Sequence, residues 1–329
     1  MRPFNTGHEE LVHDISYDFY GRRLVTCSSD QHIKVFEKNN ETQSWDLSDS
    51  WKAHDSSIVR VIWASPEFGQ ILASCSHDGT VKIWEEDVRE PINSGKRWKR
   101  VATFSDFDGP IYDVAFCPSH HGLKIGTIGS DGVVRILEAM DPNSLRNWSS
   151  VQEIPLLAET PSWNLQSAFA LEWAPSKFGN EMFVVSSLDQ GFIYQRNDNG
   201  KYFCVATLPE HQGLIRDVAW AASMGRTYQL IATACKDGHV RIFKVTNANG
   251  GNSTFLPNHS SSFSLSTNLI IELVSKFDEH SGEVWRVSWN LTGTVLSSAG
   301  DDGKVRLWKA SYSNEFQCMA VISAEQPNL

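Results

Sequence analysis

The sequence predicts an all-β propeller of six four-stranded blades, and three regularities in its 329 residues carry that prediction. The first is a turn Asp followed six residues later by the residue that closes a strand: Asp30 and Phe36, Asp78 and Trp84, Asp131 and Leu137, Asp189 and Gln195, Asp237 and Phe243, Asp302 and Trp308. The second is an aromatic at Tyr17, Trp63, Phe116, Trp173, Trp220 and Trp289, always nine residues after His8, His54, Phe107, Asn164, His211 or His280. The third is the interval between the six Asp residues, 48 to 65 residues, about the length of chain that four short strands and their turns consume.

Within one repeat the elements can be read in order. HDSSIVRVIWASPEFGQILASCSHDGTVKIW contains three apolar, β-rich runs separated by PEFG and HDGT turns. The fourth strand of that repeat is predicted in KRWKRVATF, whose Lys and Arg suit a solvent-facing edge and discourage edge-to-edge pairing. Gly79, Gly132, Gly238 and Gly303 follow the turn Asp, where a hairpin calls for a left-handed residue. The rhythm makes residues 1–329 a single propeller domain. It is interrupted only at 246–268, poor in charge and rich in Asn, Ser and Gly, which is predicted to be a flexible loop within blade five.

A net charge of -10 and the absence of a basic stripe argue against nucleic acid as a direct partner. No apolar run approaches the 18 or so residues of a membrane helix, and MRPFNTGHEE has no signal segment, so a cytosolic or nuclear protein is expected, with no membrane insertion. Cys27 and Cys75, three residues before a turn Asp, and Cys235, two before, fall on second strands and read as core filler. Cys117, Cys204 and Cys318 are scattered, and no CxxC pair exists.

His54, Ser74, Asp78 and Trp84 are the residue types for a buried hydrogen-bond chain running from indole to hydroxyl to imidazole to carboxylate. His280, Ser298, Asp302 and Trp308 repeat the set. In the fifth repeat His211, Thr233 and Asp237 remain but Phe243 replaces the indole, and in the first His8, Thr26 and Asp30 end in Phe36. Ser, His and Asp in one unit also spell a hydrolase triad. Repetition at matched offsets, with Trp as a fourth member and no GxSxG elbow, favours the structural network over a catalytic site, which is normally single. His120 and His121 lack partner ligands at metal spacing, and no glycine-rich phosphate loop occurs, so no metal, cofactor, small-molecule substrate or enzymatic activity is expected.

Only MRPFNTG precedes His8, whereas EFQCMAVIS after Trp308 has the length and apolar content of a fourth strand. Each blade is therefore expected to own all four strands, instead of closing by strand exchange. That favours an open ring completed by a blade from a partner, since two bare blade faces exceed the apolar area a soluble monomer usually exposes. The expected partner-binding residues are Leu11, Val12, Ile15, Leu24, Ile33 and Val35 of blade one, and Val284, Trp285, Val287, Val295, Val305 and Leu307 of blade six. Alternation along a strand sends about half of such a set into internal packing.

HDISYDFYGRRLVTCSSDQHIKVF, AHDSSIVRVIWASPEFG, LIATACKDGHVRIFKV and GEVWRVSWNLTGTVLSSAGDDGKVRLWKASYSNEFQC resemble the small WD-repeat nucleoporins of the Sec-thirteen-homologue ("seh-one") family, over nearly the whole chain. SYDFYG and SWNLTG carry the likeness, because DGKVRLW would suit any WD repeat. The resemblance implies a non-catalytic scaffold subunit of the Y-shaped nuclear pore complex at the nuclear envelope, held by an α-solenoid nucleoporin that inserts its own blade. It implies nucleocytoplasmic transport of protein and mRNA, and a second membership, in the SEA or GATOR-type complex at the vacuolar or lysosomal surface that controls TOR signalling. The rival readings are the COPII outer-coat propeller, which SWNLTG and NEFQC disfavour, and a ubiquitin-ligase substrate-recognition propeller, for which no docking motif is evident.

Overall fold

The six aromatics that mark the repeat each close a strand. The first strands of the six blades run Val12–Tyr17, Ile58–Trp63, Ile111–Phe116, Phe169–Trp173, Ile215–Trp220 and Val284–Trp289. The computed structural model describes residues 4–141, 144–157, 167–175, 180–247, 269–312 and 315–323. Their 24 strands form six four-stranded antiparallel sheets, each built from four strands consecutive in the chain. This is the β-propeller fold with each blade owning its four strands, the last ending in Phe316–Ser323.

The sheets share one irregularity. In the pairing of third with fourth strand the register slips between Val35 and Phe36, Ile83 and Trp84, Ile136 and Leu137, Ile242 and Phe243, and Leu307 and Trp308. A bulge at a fixed place bends the outer strand and increases its twist. The bulge also corrects the fourth repeat. There it falls between Ile193 and Tyr194, and Phe183 pairs with Tyr194, so Tyr194 and not Gln195 holds the closing position. The cause is a shorter hairpin, in which Ser187 pairs directly with Gln190 and leaves Leu188 and Asp189 as the turn. Elsewhere the residue after the Asp carries the left-handed conformation, Gly79 at φ 75°, for instance, and in blade one Gln31 at 69°.

Internal packing divides the chain into two compact units, Met1–Leu171 and Glu172–Leu329. In the first, Val25, Cys27, Ile33 and Val35 of blade one pack on Ile58, Val61, Leu72 and Trp84 of blade two, with Trp51 and Trp98 stacked 5.7 Å apart among them. The same faces meet again where Ala73, Cys75, Val81 and Ile83 of blade two cover Ile111, Val114 and Ile125 of blade three. In the second unit Ala232, Ala234, Val240 and Ile242 of blade five cover Val284, Val287, Leu296 and Trp308 of blade six. Burying each Val, Leu or Ile among them contributes roughly 1.5–3 kcal/mol. Residues 248–268 and Asn164 lie outside the described residues, and Thr246 and Asn247, expected in the loop, instead pair with Ile270 and Leu269 as the end of a third strand.

Candidate partner-binding face

The residues that could have served chemistry are tied into scaffolding. In blade two the Trp84 indole donates to Ser74 Oγ at 2.9 Å, His54 Nε2 lies 2.8 Å from that oxygen, and His54 Nδ1 lies 2.9 Å from Asp78 Oδ2. Burial lowers the His54 pKa against the opposing hydrogen bond to Asp78, so the ring is neutral at pH 7. The tautomer that satisfies every partner gives Nδ1–H to the carboxylate and leaves Nε2 to accept the Ser74 hydroxyl. Burial would raise the Asp78 carboxyl, but hydrogen bonds from His54 and Thr80 outweigh it and hold the group well below the usual carboxylate range. Ser74 is wholly buried, so it meets no substrate. Blade six repeats the chain, with Trp308 2.8 Å and His280 2.7 Å from Ser298, and His280 3.1 Å from Asp302.

Blade five departs from the expected chain. His211 Nε2 lies 2.9 Å from Thr233 Oγ1, but Nδ1 has no partner and Asp237 turns instead to Arg241, at 2.5 and 3.2 Å. A buried guanidinium needs a carboxylate more than a neutral imidazole does, and its fork offers two charge-assisted bonds. In blade three Arg135 likewise holds Asp131 at 2.6 Å, and its guanidinium lies 4.8 Å over the ring of Phe107, the residue at the His position. These cations were missed in the sequence, although the signal is plain: a basic residue stands four after the turn Asp at Lys34, Lys82, Arg135, Arg241 and Arg306.

A second missed set joins neighbouring blades within each unit. Asp14, Asp113 and Asp217 each stand three residues before the strand-closing aromatic. Their carboxylates accept the backbone N–H of the next blade's first strand, Asp14 from Val61 at 3.1 Å, Asp113 from Leu171 at 2.7 Å and Asp217 from Val287 at 3.1 Å. The closing aromatic links back: Trp63 donates to the Ser16 carbonyl and Trp289 to that of Ala219, both at 3.2 Å. The equivalent amide in blade one is that of Ile15, and no carboxylate among the described residues caps it.

The same positions lose their cover. Ile58, Ile111, Ile215 and Val284 are fully buried, whereas their counterpart Val12 is 37% exposed. Val61, Val114, Val218 and Val287 are at most 5% exposed, whereas their counterpart Ile15 is 51% exposed. Leu11 is exposed beside them, as are Tyr17, Phe19 and Tyr20 at the following turn. Of the residues expected to bind a partner, Leu24, Ile33 and Val35 are buried, Ile33 and Val35 against blade two, and Val284 and Val287 are buried against blade five. Ile33, Val35, Val284 and Val287 are packing residues, because strand alternation points them at the neighbouring blade, whereas Leu24 is buried on the opposite side of its strand from Val25. Blade six keeps Trp285 exposed, its ring 4.4 Å from the Arg216 guanidinium, and Val295, Val305 and Leu307 half-buried where the matching Ile71, Val81 and Ile83 of blade two are covered.

Fold and site together define a class: a WD-repeat propeller whose Ser, His and Asp residues serve its blades and whose free feature is an apolar sheet face. The WD domain, G-beta repeat, family model matches residues 2–37, 45–85, 202–244 and 271–309. The chain is 52% identical to Nucleoporin SEH1 of Saccharomyces cerevisiae, across 99% of this chain and 100% of that protein. It is 46% identical to Nucleoporin seh1 of Schizosaccharomyces pombe, across 98% and 96%. It is 40% identical to human Nucleoporin SEH1, across 98% and 88%. The chain belongs to the SEH1 family of WD-repeat nucleoporins.

Proposed function

We propose that this chain is a non-catalytic scaffold subunit of the nuclear pore complex, held by an α-solenoid nucleoporin that donates a blade to the bare face of blade one. The observation that carries the reading is the exposure of Val12 and Ile15 at positions buried in the blades compared above. Leaving such positions in water forfeits the burial that every other blade gains, so a partner that covers them is favoured. The chemistry of that partner follows from the links between blades. Its apposed strand presents apolar side chains and an acidic residue placed like Asp14, Asp113 and Asp217, whose carboxylate caps the Ile15 amide. A backbone carbonyl of the same strand accepts the Tyr17 hydroxyl, as the Ser16 and Ala219 carbonyls accept their indoles. The half-buried Val295, Val305 and Leu307 of blade six offer apolar surface in their own right.

The test is purification of the tagged chain from cell extract, as it stands and with Val12→Arg and Ile15→Arg together. A solenoid nucleoporin is expected to co-purify with the parent and to be lost from the double variant, whose melting temperature stays near the parent's. Stoichiometric recovery with the double variant overturns the reading, as does recovery of coat or ubiquitin-ligase subunits alone. The SEA or GATOR-type complex at the vacuolar surface is a second assembly that the same face would serve. Because both assemblies would occupy the blade-one face, the two memberships are mutually exclusive, so the nucleoporin and SEA subunits are expected in separate fractions.

A further inference from the structure

The second unit holds a pocket of about 440 Å³ where the fourth strand of blade five, Leu269–Phe277, comes beside the third and fourth strands of blade six. Its apolar wall is Leu230, Val274 and Phe316. Three of its lining residues are cationic, Arg226, Lys244 and Lys309, against one acid, Glu272, in a chain of net charge -10. The cations are organised around one ring. Arg226 lies 5.7 Å from the Tyr228 ring centroid and Lys244 lies 5.4 Å from it. The guanidinium is pinned in place by donating to the Ala222 carbonyl at 2.8 Å and the Gly293 carbonyl at 3.0 Å. Glu272 approaches Lys244 at 3.5 Å, which answers one of the three charges, and Lys309 is exposed at the rim.

We propose that this pocket docks an acidic, extended peptide that places one apolar side chain inward and its flanking carboxylates on Lys309, Lys244 and Arg226. Charge complementarity selects the occupant. Two like charges drawn to one tyrosine, with a third beside them, form a local positive field that an anionic segment relieves. The apolar wall gives an anchor residue the burial that supplies affinity, while the charges supply orientation and rate. A nucleic-acid strand fits less well, because the chain's overall negative charge repels a continuous phosphate backbone that a short peptide does not carry.

The experiment uses fluorescence anisotropy of the full chain with fluorescein-labelled short peptides of Asp and Glu around a central Leu, Phe or Trp. Binding is expected for the parent, weakening as salt is raised and failing when Lys replaces the acids. Lys244→Glu with Lys309→Glu, and separately Ala310→Trp to fill the cavity, are each expected to weaken binding by about tenfold or more. Lys201→Glu, on the exposed surface of blade four, leaves binding unchanged, and circular dichroism verifies that every variant folds. No binding by the parent, equal binding by folded pocket variants, or preference for a poly-uridine oligonucleotide over every peptide would overturn the proposal.

Discussion

Removing a carboxylate that holds a buried cation leaves that cation unpaired, and this sets the scale of the stability sites. Asp302 accepts Arg306 at 2.5 Å and His280 at 3.1 Å, and although burial pushes its carboxyl up, those two partners bring it down to about 2. Asp302→Ala is expected to cost about 1–3 kcal/mol in urea unfolding, and Asp78→Ala a similar amount. Asp189→Ala, on the exposed two-residue turn of blade four, is expected to change stability by less than about 0.5 kcal/mol. His211 gives the clearest pH effect. Burial lowers its pKa to about 4, with Arg241 adding to the shift. The unfolded chain therefore binds a proton near pH 6.5 that the folded chain refuses until about pH 4, so stability is full above 6.5 and is lost as pH falls through that window. His211→Gln is expected to lose about 1–3 kcal/mol less than the parent between pH 7 and pH 4, read from thermal melts. A parallel loss in both proteins would place the pH dependence elsewhere. At this scale the sequence was legible wherever one residue type serves one role at a fixed offset, as with Trp84, Ser74 and His54. It was misleading where two donors compete for one acceptor, because the preference of Asp237 for Arg241 over His211 depends on which cation the blade buries.

Strands and turns were more legible than individual contacts, and the reason is periodicity. A closing aromatic and a turn Asp are local signals, so five of six closing positions were read correctly. The fourth slipped by one because its hairpin is a residue shorter while the Asp remains. SYDFYG and SWNLTG, which carry the family likeness, prove to be one turn device used twice. Asp18 Oδ1 accepts the Arg22 and Arg23 amides at 2.7 and 2.9 Å, and Asn290 Oδ1 accepts those of Thr294 and Val295 at 2.8 and 3.0 Å. That geometry needs only the Asx side chain and the left-handed Gly21 or Gly293, so the exposed Phe19, Tyr20 and Leu291 at the tips are left to other duties. Which face of a strand is bare was not legible, since Val12 and Val284 occupy the same register and differ in burial, Val12 exposed and Val284 covered by blade five. The two therefore separate cleanly by mutation. Val284→Arg buries a charge against blade five and is expected to destabilise the chain by about 3 kcal/mol or more, whereas Val12→Arg is expected to leave unfolding near the parent's. Equal destabilisation by both, measured by denaturant unfolding, would mean that the blade-one face is covered in solution.

For the molecule as a whole, stability is distributed blade by blade, and the pattern of cover decides where it is thin. In blades two and six the first strand has its amide capped, its aromatic hydrogen-bonded and its Ile or Val buried against a neighbour. The first strand of blade one is bare at Val12 and Ile15, and its Ile15 amide lacks a carboxylate cap among the described residues. Local opening is expected to be least costly at this strand, because opening exposes little apolar surface that is not already wet. Hydrogen exchange of the isolated chain should thus be faster at Val12–Tyr17 than at Ile58–Trp63 or Ile215–Trp220, whose register and length are the same. If a donated blade is what covers this face, adding the co-purifying partner should slow exchange at Val12–Tyr17 towards the rate of Ile58–Trp63, with Ile15 the amide most affected because it gains both a cap and burial. Exchange at Ile215–Trp220 should stay as it was, since its cover comes from within the chain. Protection that rises uniformly over all six blades, or that leaves Ile15 unchanged in the complex, would place the partner somewhere other than the first sheet.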